Sequence, residues 1–409
     1  MKKVCVIGLG YIGLPTAAII ANEGIKVIGY DINEELLCAI NSGNVIEEEP
    51  NLKELVLKVI KNKFLSTSNK LEKADIYIIA VPTPIKYSKT NEPSPDMEYV
   101  FGVAKKIASI IEKGNMVIIE STSSIGTTNE VADLIEKHTK ISKDNFDFVC
   151  CPERVIPGNI LNEIVQNDRI VGGVNEKSTK RGADFYRLFC KGSIYQTNSI
   201  TAELAKLTEN AYRDVNIAFA NEISIICDQL KIDPKDLIKL TNCHPRVNVL
   251  NPGCGVGGHC IAVDPYFISA QFPNNTPLIK TSREVNENKK KWSTEKIKKL
   301  VEDFKHRYKS DPIIGCLGLA YKPDVSDIRN SPALEIVKSL KENDYNLLIS
   351  EPNLKDHKDL PITDCEKLFI KSDIIIFLVG HKEFIPYAKE IPKNKIYIDF
   401  CGITKTNLD

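Results

Sequence analysis

Lys3-Val-Cys-Val-Ile-Gly8-Leu-Gly10-Tyr-Ile-Gly13 is the stretch whose reading decides the fold. A short apolar run enters a Gly-x-Gly-x-x-Gly turn, Leu14 to Glu23 has helical character, Gly24 closes that helix, and Lys26-Val-Ile-Gly-Tyr-Asp31 is a second strand ending on an acid. Such a glycine triplet is weak evidence by itself. Here it stands between a strand and a helix, and Asp31 follows Gly13 by 18 positions. In that setting the glycines let the backbone close on a pyrophosphate, the helix N-terminus supplies amide donors, and the acid accepts from ribose hydroxyls. Gly8, Gly10, Gly13 and Asp31 are therefore expected to bind a dinucleotide. A carboxylate at Asp31 repels a 2'-phosphate and Ile32-Asn33 supplies no arginine, so the expected cofactor is NAD, not NADP.

Outward from this turn, Asp75 to Val81, Met116 to Glu120 and Phe146 to Cys151 read as further strands with helical patterns between them, the alternation of a doubly wound parallel sheet. Their polar ends, Pro82-Thr83-Pro84, Ser121 to Ser124 and Pro152-Glu153-Arg154, fall where such sheets bind ligands. Each is also an ordinary strand-ending turn. The polar segment Lys86 to Asp96 reads as a solvated, mobile loop. At 409 residues the chain exceeds one core and divides into two or three domains. Its 54 basic and 54 acidic residues balance, so bulk charge gives no reason to expect a nucleic-acid or membrane partner. No apolar run reaches spanning length, and no signal-peptide pattern follows Met1-Lys2-Lys3, which reads as a cytoplasmic protein. The 12 cysteines form no CxxC pair or zinc spacing, so reduced thiols and no metal are expected, with Cys150-Cys151 as strand packing.

Ile200 to Ile232 contains neither proline nor glycine and reads as one long helix on which Lys206, Asn210 and Arg213 share a face. A solvated stripe is the bland account of that face. Apolar residues on much of the remaining circumference instead suggest a helix packed on several sides, able to join two domains and to pair with its own copy. Asn242-Cys-His244-Pro-Arg246-Val-Asn248 offers two cations for phosphate or carboxylate recognition. It precedes Asn251-Pro-Gly-Cys-Gly-Val-Gly-Gly-His-Cys260-Ile-Ala-Val-Asp264, where a glycine-rich loop presents a thiol four positions before an acid. That is an arrangement an attacking sulfur needs, although a lone cysteine is more often a small buried hydrophobe. Pro312 to Ala320 opens a second strand, loop and helix unit without the full glycine fingerprint. Tyr321 to Asn330 is a polar loop, Ser331-Pro332 caps the next helix, and strands follow at Tyr345 to Ser350, Asp373 to Val379 and Lys395 to Phe400.

GLGYIGLPTA (8–17), AVPTP (80–84), ESTSSIGTT (120–128), CPERVIPG (151–158), KLTENAYRDVNIAFANE (206–222), HPRVNVLNPGCGVGGHCIAVDPYF (244–267) and GLAYKPDVSDIRNSPA (318–333) together resemble the nucleotide-sugar 6-dehydrogenase family over nearly the whole chain. The resemblance implies an α/β fold: two Rossmann-like doubly wound domains joined by a long central helix and a helical dimerisation domain. The implied division is 1–198 for NAD, 199–300 for the helical part with the cysteine loop, and 301–409 for the UDP-sugar. It implies a four-electron oxidation at C6 through a cysteine thioester, with Cys260 as nucleophile and Lys206 as acid-base residue or oxyanion stabiliser. Asn210 and Asp264 would hold the oxyanion or activate water, with Glu153 and Thr122 near the reacting centre. Tyr11, Ile12, Asp31, Thr83 and Thr122 match NAD contacts, and Arg329 matches an arginine closing the cofactor site. Arg154, Val155, Lys206, Asn210, Arg213, His244, Arg246, Gly257, Tyr321 and Lys322 match positions that hold the nucleotide sugar.

The implied substrate is a UDP-N-acetylhexosamine, the manno epimer ahead of the gluco epimer, and the implied assembly is a homodimer through the central helix. Cys254 stands where a proline is usual, and Phe400-Cys401-Gly402 departs from the usual terminal segment. A sensor that had kept only the fold would have no need of Cys260, Lys206, Asn210 and Asp264.

Overall fold

Runs such as Val4 to Ile7, Ile76 to Ile79 and Met116 to Ile119 are buried without alternation, as parallel strands covered on both faces must be. The computed structural model describes residues 2–45, 49–89, 92–354, 356–393 and 395–404. The chain packs as two compact units: Met1–Glu209 with Tyr266–Pro273, and Asn210–Pro265 with Asn274–Asp409.

The first unit contains strands β1 (Lys3–Ile7), β2 (Lys26–Tyr30), β3 (Leu65–Ser68), β4 (Ile76–Ile79), β5 (Ile85–Tyr87), β6 (Pro93–Pro95), β7 (Met116–Ile119), β8 (Asp147–Cys150), β9 (Arg169–Gly173) and β10 (Ile194–Asn198). The connecting helices are α1 (Gly13–Asn22), α2 (Glu34–Asn41), α3 (Leu52–Lys61), α4 (Glu98–Ala108), α5 (Thr127–Thr139), α6 (Ile160–Gln166) and α7 (Glu176–Tyr186). Eight strands form one sheet in the order β10-β9-β8-β7-β4-β1-β2-β3. Val4 lies opposite Val27 on one side and Ile76 on the other, which puts the reversal of strand order at β1 and β4, beside the glycine turn. The β8 and β9 pair is antiparallel, a departure from the fully parallel sheet expected.

The expected mobile loop from Lys86 to Asp96 is instead built on an antiparallel hairpin of β5 and β6. Its charges pair rather than only facing water: Lys86 lies 3.7 Å from Asp96 and 3.8 Å from Glu98, and the Ser88 amide donates to the Glu92 carbonyl at 3.0 Å. Thr90 and Asn91 lie outside the described residues.

Helix α8 (Ser199–Leu230) runs out of the first unit into the second, where α9 (Pro234–Thr241) follows. After the cysteine loop come α10 (Asp264–Gln271) and α11 (Pro277–Tyr308). A second sheet holds β11 (Ile314–Leu317), β12 (Leu347–Ser350), β13 (Ile374–Phe377) and β14 (Ile396–Asp399), all parallel, in the order β12-β11-β13-β14. Helices α12 (Pro332–Glu342), α13 (Cys365–Lys371) and α14 (Ile385–Lys389) complete it. Ser331 caps α12 as its sequence requires, its Oγ accepting from the Leu334 amide at 3.3 Å with Pro332 at the first helical position. Two Rossmann-like α/β units and the long helix α8 are thus present as the sequence implied, and α11 is a second helix of the same 32 residues. Among the described residues, no helix is long and apolar enough to cross a membrane.

Each unit contains a joint built on buried polar groups. In the second, α8 and α11 meet through a ladder: Arg283 donates to Asp214 at 2.6 Å, Asn286 to Asp214 at 2.7 Å, Asn221 to Asn286 at 2.9 Å and Lys289 to Ser224 at 2.6 Å. Burial pulls the Lys289 ammonium down to about 8, and its Nζ lies 4.0 Å from the centre of the Trp292 ring. In the first unit, Tyr186 donates to Glu120 at 2.7 Å, and the Arg169 guanidinium stands 5.2 Å over the Tyr186 ring while donating to Glu153 at 3.1 Å. Burial pushes the Glu120 carboxyl up to about 7, against the pull of Arg169 and with the push of Glu153.

Breaking the first joint with Asp214→Ala leaves Arg283, 3 % exposed, without its buried counter-charge. We expect a loss of about 3 kcal/mol in denaturant unfolding and a smaller loss for Asp214→Asn. The second joint carries a pH signature. Because the folded pKa of Glu120 lies above its unfolded value, stability falls as pH rises from about 4.5 to about 7 and then levels. Glu120→Gln is expected to flatten that stretch of a melting-temperature profile and to melt above the parent at pH 8; an unchanged profile would refute this.

Candidate active site

The glycine turn can be tested for its fit to a dinucleotide. A Cβ on Gly8, whose φ is +91°, would lie 2.6 Å from the Ala80 carbonyl oxygen, and one on Gly13 would collide with the carbonyl of Gly8. A Cβ on Gly10 would meet nothing within 4 Å. The first and third glycines thus close the turn, and the second leaves the approach to it open, as a phosphate requires. Ile12, at the N-cap of α1, makes no side-chain capping bond; the Leu14 amide donates to the Gly10 carbonyl at 3.2 Å and Pro15 has no N–H, so Gly13 is the first-turn amide left for a phosphate. Half-buried Asp31 accepts from the Leu9 amide at 2.8 Å and the Asn33 amide at 2.9 Å, holding its carboxylate at the end of β2. Thr83 and Thr122, both half-buried, follow β4 and β7, and Ser121 ties those strand ends by donating to the Val81 carbonyl at 2.7 Å. Tyr11 packs against the first core. The donor set fits NAD: amides for the pyrophosphate and a carboxylate for the ribose.

Past β8 in the same unit, both oxygens of Glu153 are engaged, one by the Arg154 amide at 2.6 Å and the other by Arg169 at 3.1 Å. Arg154 itself binds Glu209 at 2.7 Å and the carbonyl of Asp168. Val155 packs on the core. Half-buried Lys206 lies one turn before Asn210 on α8, and its ammonium makes no hydrogen bond or ion pair among the described residues.

Within the second unit the cysteine loop is fastened at both ends to one face of α8. At its start the Gly253 amide donates to Asn221 Oδ1 at 2.9 Å, and at its end Asn210 Nδ2 donates to Asp264 Oδ2 at 2.6 Å. Asn210, Asn221 and Asp264 are all buried. Cys260 is partly exposed, and its carbonyl accepts from the Val263 and Asp264 amides at 2.9 and 2.8 Å, so the thiol stands at the head of the turn that winds into α10. Asp264 opens that helix and Cys260 precedes it by one turn. A helix N-terminus favours the negative form of a group placed there, which suits a thiolate.

The middle of the loop rests on the 318–332 segment. Gly258 has φ +83°, and a Cβ there would lie 2.8 Å from the Tyr321 ring; one on Gly257 would lie 2.5 Å from the Asn330 carbonyl oxygen. Tyr321, whose hydroxyl is pushed up to about 12 by burial and the Asp327 and Cys260 charges, therefore packs directly behind Gly257 and Gly258. Lys322 Nζ stands 5.8 Å from the Tyr321 ring centre. Arg329 makes a two-pronged bond to Asp327 and approaches His259 Nδ1 at 3.5 Å. Burial would raise the Asp327 carboxyl, but Arg329 holds it below its ordinary value. Arg213 is exposed on α8, and its charge lowers the Tyr321 hydroxyl. His244 and Arg246 project from the exposed loop after α9, closed at its base by Asn242 and Val249. Sequence reading found none of Asn221, Arg169, Asp327 or Glu120; only Asn221 left a trace, eleven positions after Asn210 and hence three turns along the same face.

Three models of one family match the chain: the NAD binding domain of the UDP-glucose/GDP-mannose dehydrogenase family at residues 2–190, its central domain at 200–288 and its UDP binding domain at 315–406. The UDP-N-acetyl-D-mannosamine dehydrogenase of Campylobacter jejuni is 47% identical, over 98% of this chain and 99% of its own. The NDP-N-acetyl-D-galactosaminuronic acid dehydrogenase of Ralstonia nicotianae is 39% identical, over 98% and 96%. Among solved structures, the UDP-D-ManNAc dehydrogenase of Pyrococcus horikoshii matches with a TM-score of 0.87 and 37% identity, covering 98% of this chain and 96% of its own. With an NAD-type turn in the first unit, a pinned cysteine loop in the second and all three models matched in order, the chain belongs to the UDP-glucose/GDP-mannose dehydrogenase family.

Proposed function

We propose that the chain is an NAD-dependent dehydrogenase that oxidises C6 of UDP-N-acetyl-D-mannosamine to the carboxylate through a thioester on Cys260. The observation that carries the mechanism is the doubly fastened loop holding Cys260 one turn before Asp264. The choice of sugar rests on the relatives whose names specify it. Gly8, Gly10, Tyr11, Ile12, Gly13, Asp31, Thr83 and Thr122, with Arg329 assigned to the same cofactor by the family likeness, would hold NAD, which would supply the hydride acceptor, one NAD molecule for each of the two oxidations.

The chain's own groups do the rest. Lys206 and Asn210 stabilise charge developing on the C6 oxygen. The thiolate adds to the aldehyde carbon, giving a hemithioacetal that still carries a hydride, so one site oxidises twice without releasing the aldehyde. Loss of that hydride leaves the thioester. Asp264 takes a proton from water as it attacks and Cys260 leaves as thiolate, while Glu153, fixed by Arg169, and Thr122 are assigned to the reaction by the family likeness alone. Arg154, Val155, Arg213, His244, Arg246, Gly257, Tyr321 and Lys322 bind the UDP-sugar. The divisions 1–198, 199–300 and 301–409 serve cofactor, chemistry and nucleotide sugar in turn.

The working form is a cytoplasmic homodimer paired through α8. Tyr212, Phe219, Ile226 and Leu230 are 67, 53, 47 and 65% exposed at spacings of seven, seven and four, a stripe of one helix face that a second copy would cover. Exposed His244 and Arg246 are then placed to reach a neighbouring protomer.

With UDP-N-acetyl-D-mannosamine, we expect two NADH per uronate; turnover of UDP-N-acetyl-D-glucosamine or UDP-glucose in its place, in a side-by-side assay, reassigns the sugar. A C2 epimer that loses one hydrogen bond is disfavoured by about 1–3 kcal/mol. Cys260→Ser is expected to lower uronate formation about a thousandfold or more while NAD still binds in calorimetry. Unchanged turnover by that variant rules out the covalent route.

A further inference from the structure

In the second sheet β11 lies between β12 and β13 as β1 lies between β2 and β4 in the first, and the two crests differ. In the first unit Asp31 follows β2 and accepts a single turn amide, that of Leu9. In the second, Glu351 occupies the same topological place after β12, and its Oε2 accepts from two consecutive turn amides, Leu319 at 2.7 Å and Ala320 at 3.0 Å, and from His381 Nε2 at 3.1 Å. Its Oε1 accepts from the Asn353 amide at 3.1 Å. Glu351 is 1 % exposed and His381 is fully buried. The crest where a phosphate would sit is thus filled by the chain's own carboxylate, held ionised by His381 and these amides although burial opposes it.

His381 carries the contact onward. Its Nδ1 accepts from the Asp324 amide at 2.9 Å and from Asn353 Nδ2 at 3.1 Å, which places the ring proton on Nε2, facing Glu351. One imidazole therefore joins the ends of β12 and β13 to both ends of the turn Leu319 to Asp324. Asp324 is itself held at φ +59°, an unfavourable setting for a residue with a side chain. Tyr321 sits in the middle of that turn, against Gly258, two residues before Cys260. Carboxylate oxygens of Asp324 and Glu383 lie within 4.8 Å of a His381 ring nitrogen, but both ring nitrogens are already engaged, Nε2 by Glu351 and Nδ1 by Asp324 and Asn353, which argues against a metal there.

We propose that His381, through Glu351 and the Leu319 to Asp324 turn, is a positioning residue: it sets the height of Tyr321, and so both the nucleotide-sugar contact made by Tyr321 and Lys322 and the presentation of the Cys260 thiol. The part concerning nucleotide-sugar contact rests on the function proposed above; the part concerning the thiol does not. His381→Gln keeps a donor toward Glu351 and removes the acceptor for Asp324, whereas His381→Asn keeps an acceptor near Nδ1 and gives up Glu351. Both break the span.

The test measures, on the full-length protein, the rate of Cys260 alkylation by iodoacetamide from the mass of its peptide, together with KM for UDP-N-acetyl-D-mannosamine and for NAD. For each variant that retains the parental circular dichroism, the expected result is an alkylation rate changed about threefold or more, KM for the sugar raised about tenfold, and KM for NAD within about twofold. A folded variant with parental alkylation and parental KM for the sugar overturns the proposal. If neither histidine variant folds, Glu351→Gln is read by the same criteria. If the parent turns over no nucleotide sugar, the proposed function fails, and the alkylation rates alone still decide whether His381 positions the thiol.

Discussion

The cysteine loop is held to a single rigid body at two points about three helical turns apart. Asn221 takes the Gly253 amide and Asn210 binds Asp264, both from the same face of α8. Eleven residues of helix span about 16 Å, so the loop is stretched along the helix instead of standing free. A loop of glycines is otherwise the least ordered element a chain can build, since each costs more conformational entropy to fix than any other residue. Here the entropy is offset by the two asparagine hydrogen bonds and by close packing of the Tyr321 ring on Gly258. Those glycines allow that packing, because any side chain at Gly257 or Gly258 would push the loop off its support.

The ladder beneath α8 explains why the anchors hold. Asn221 is itself fixed by Asn286, which binds Asp214, which binds Arg283. A buried charge pair is an expensive way to gain stability, but it gives a definite helix register, since a shift of one residue would leave several buried groups without partners. The α8 and α11 joint therefore fixes the register of the loop as well as the stability of the unit. The two Rossmann-like crests show a similar economy. One leaves Gly10 open above a half-buried aspartate; the other closes its turn on a buried glutamate and uses it as a strut.

How far the sequence could be read follows from the range of the forces involved. The strands of the first five apolar runs, the glycine turn, the length of α8 and the Ser331 cap were legible because each is encoded within a few residues. Strand β9 was not, since Arg169-Ile-Val-Gly-Gly173 has a charge at its head and glycines at its end, and its pairing is set by α7 and β8 across the sheet. Helix α11 was missed as well, its many lysines and glutamates masking the sparse buried face of Arg283, Asn286, Lys289 and Ile297. At the site, the family likeness brought Cys260, Asn210 and Asp264 forward, and the geometry joins the last two directly. Arg169, Glu351 and His381 were invisible because their partners lie from 16 to 57 positions away in the chain.

The claim at the centre of this account is that a sulfur fixed between two asparagine anchors takes the oxidised sugar carbon. The most direct measurement is mass spectrometry of Asp264→Asn, in which Asn210 keeps an oxygen to bind while the group assigned to water activation is lost. After reaction with UDP-N-acetyl-D-mannosamine and NAD and an acid quench, the account predicts a hydroxylamine-labile uronyl adduct on the peptide carrying Cys260. Steady release of uronate with that peptide unmodified at every time point would contradict it.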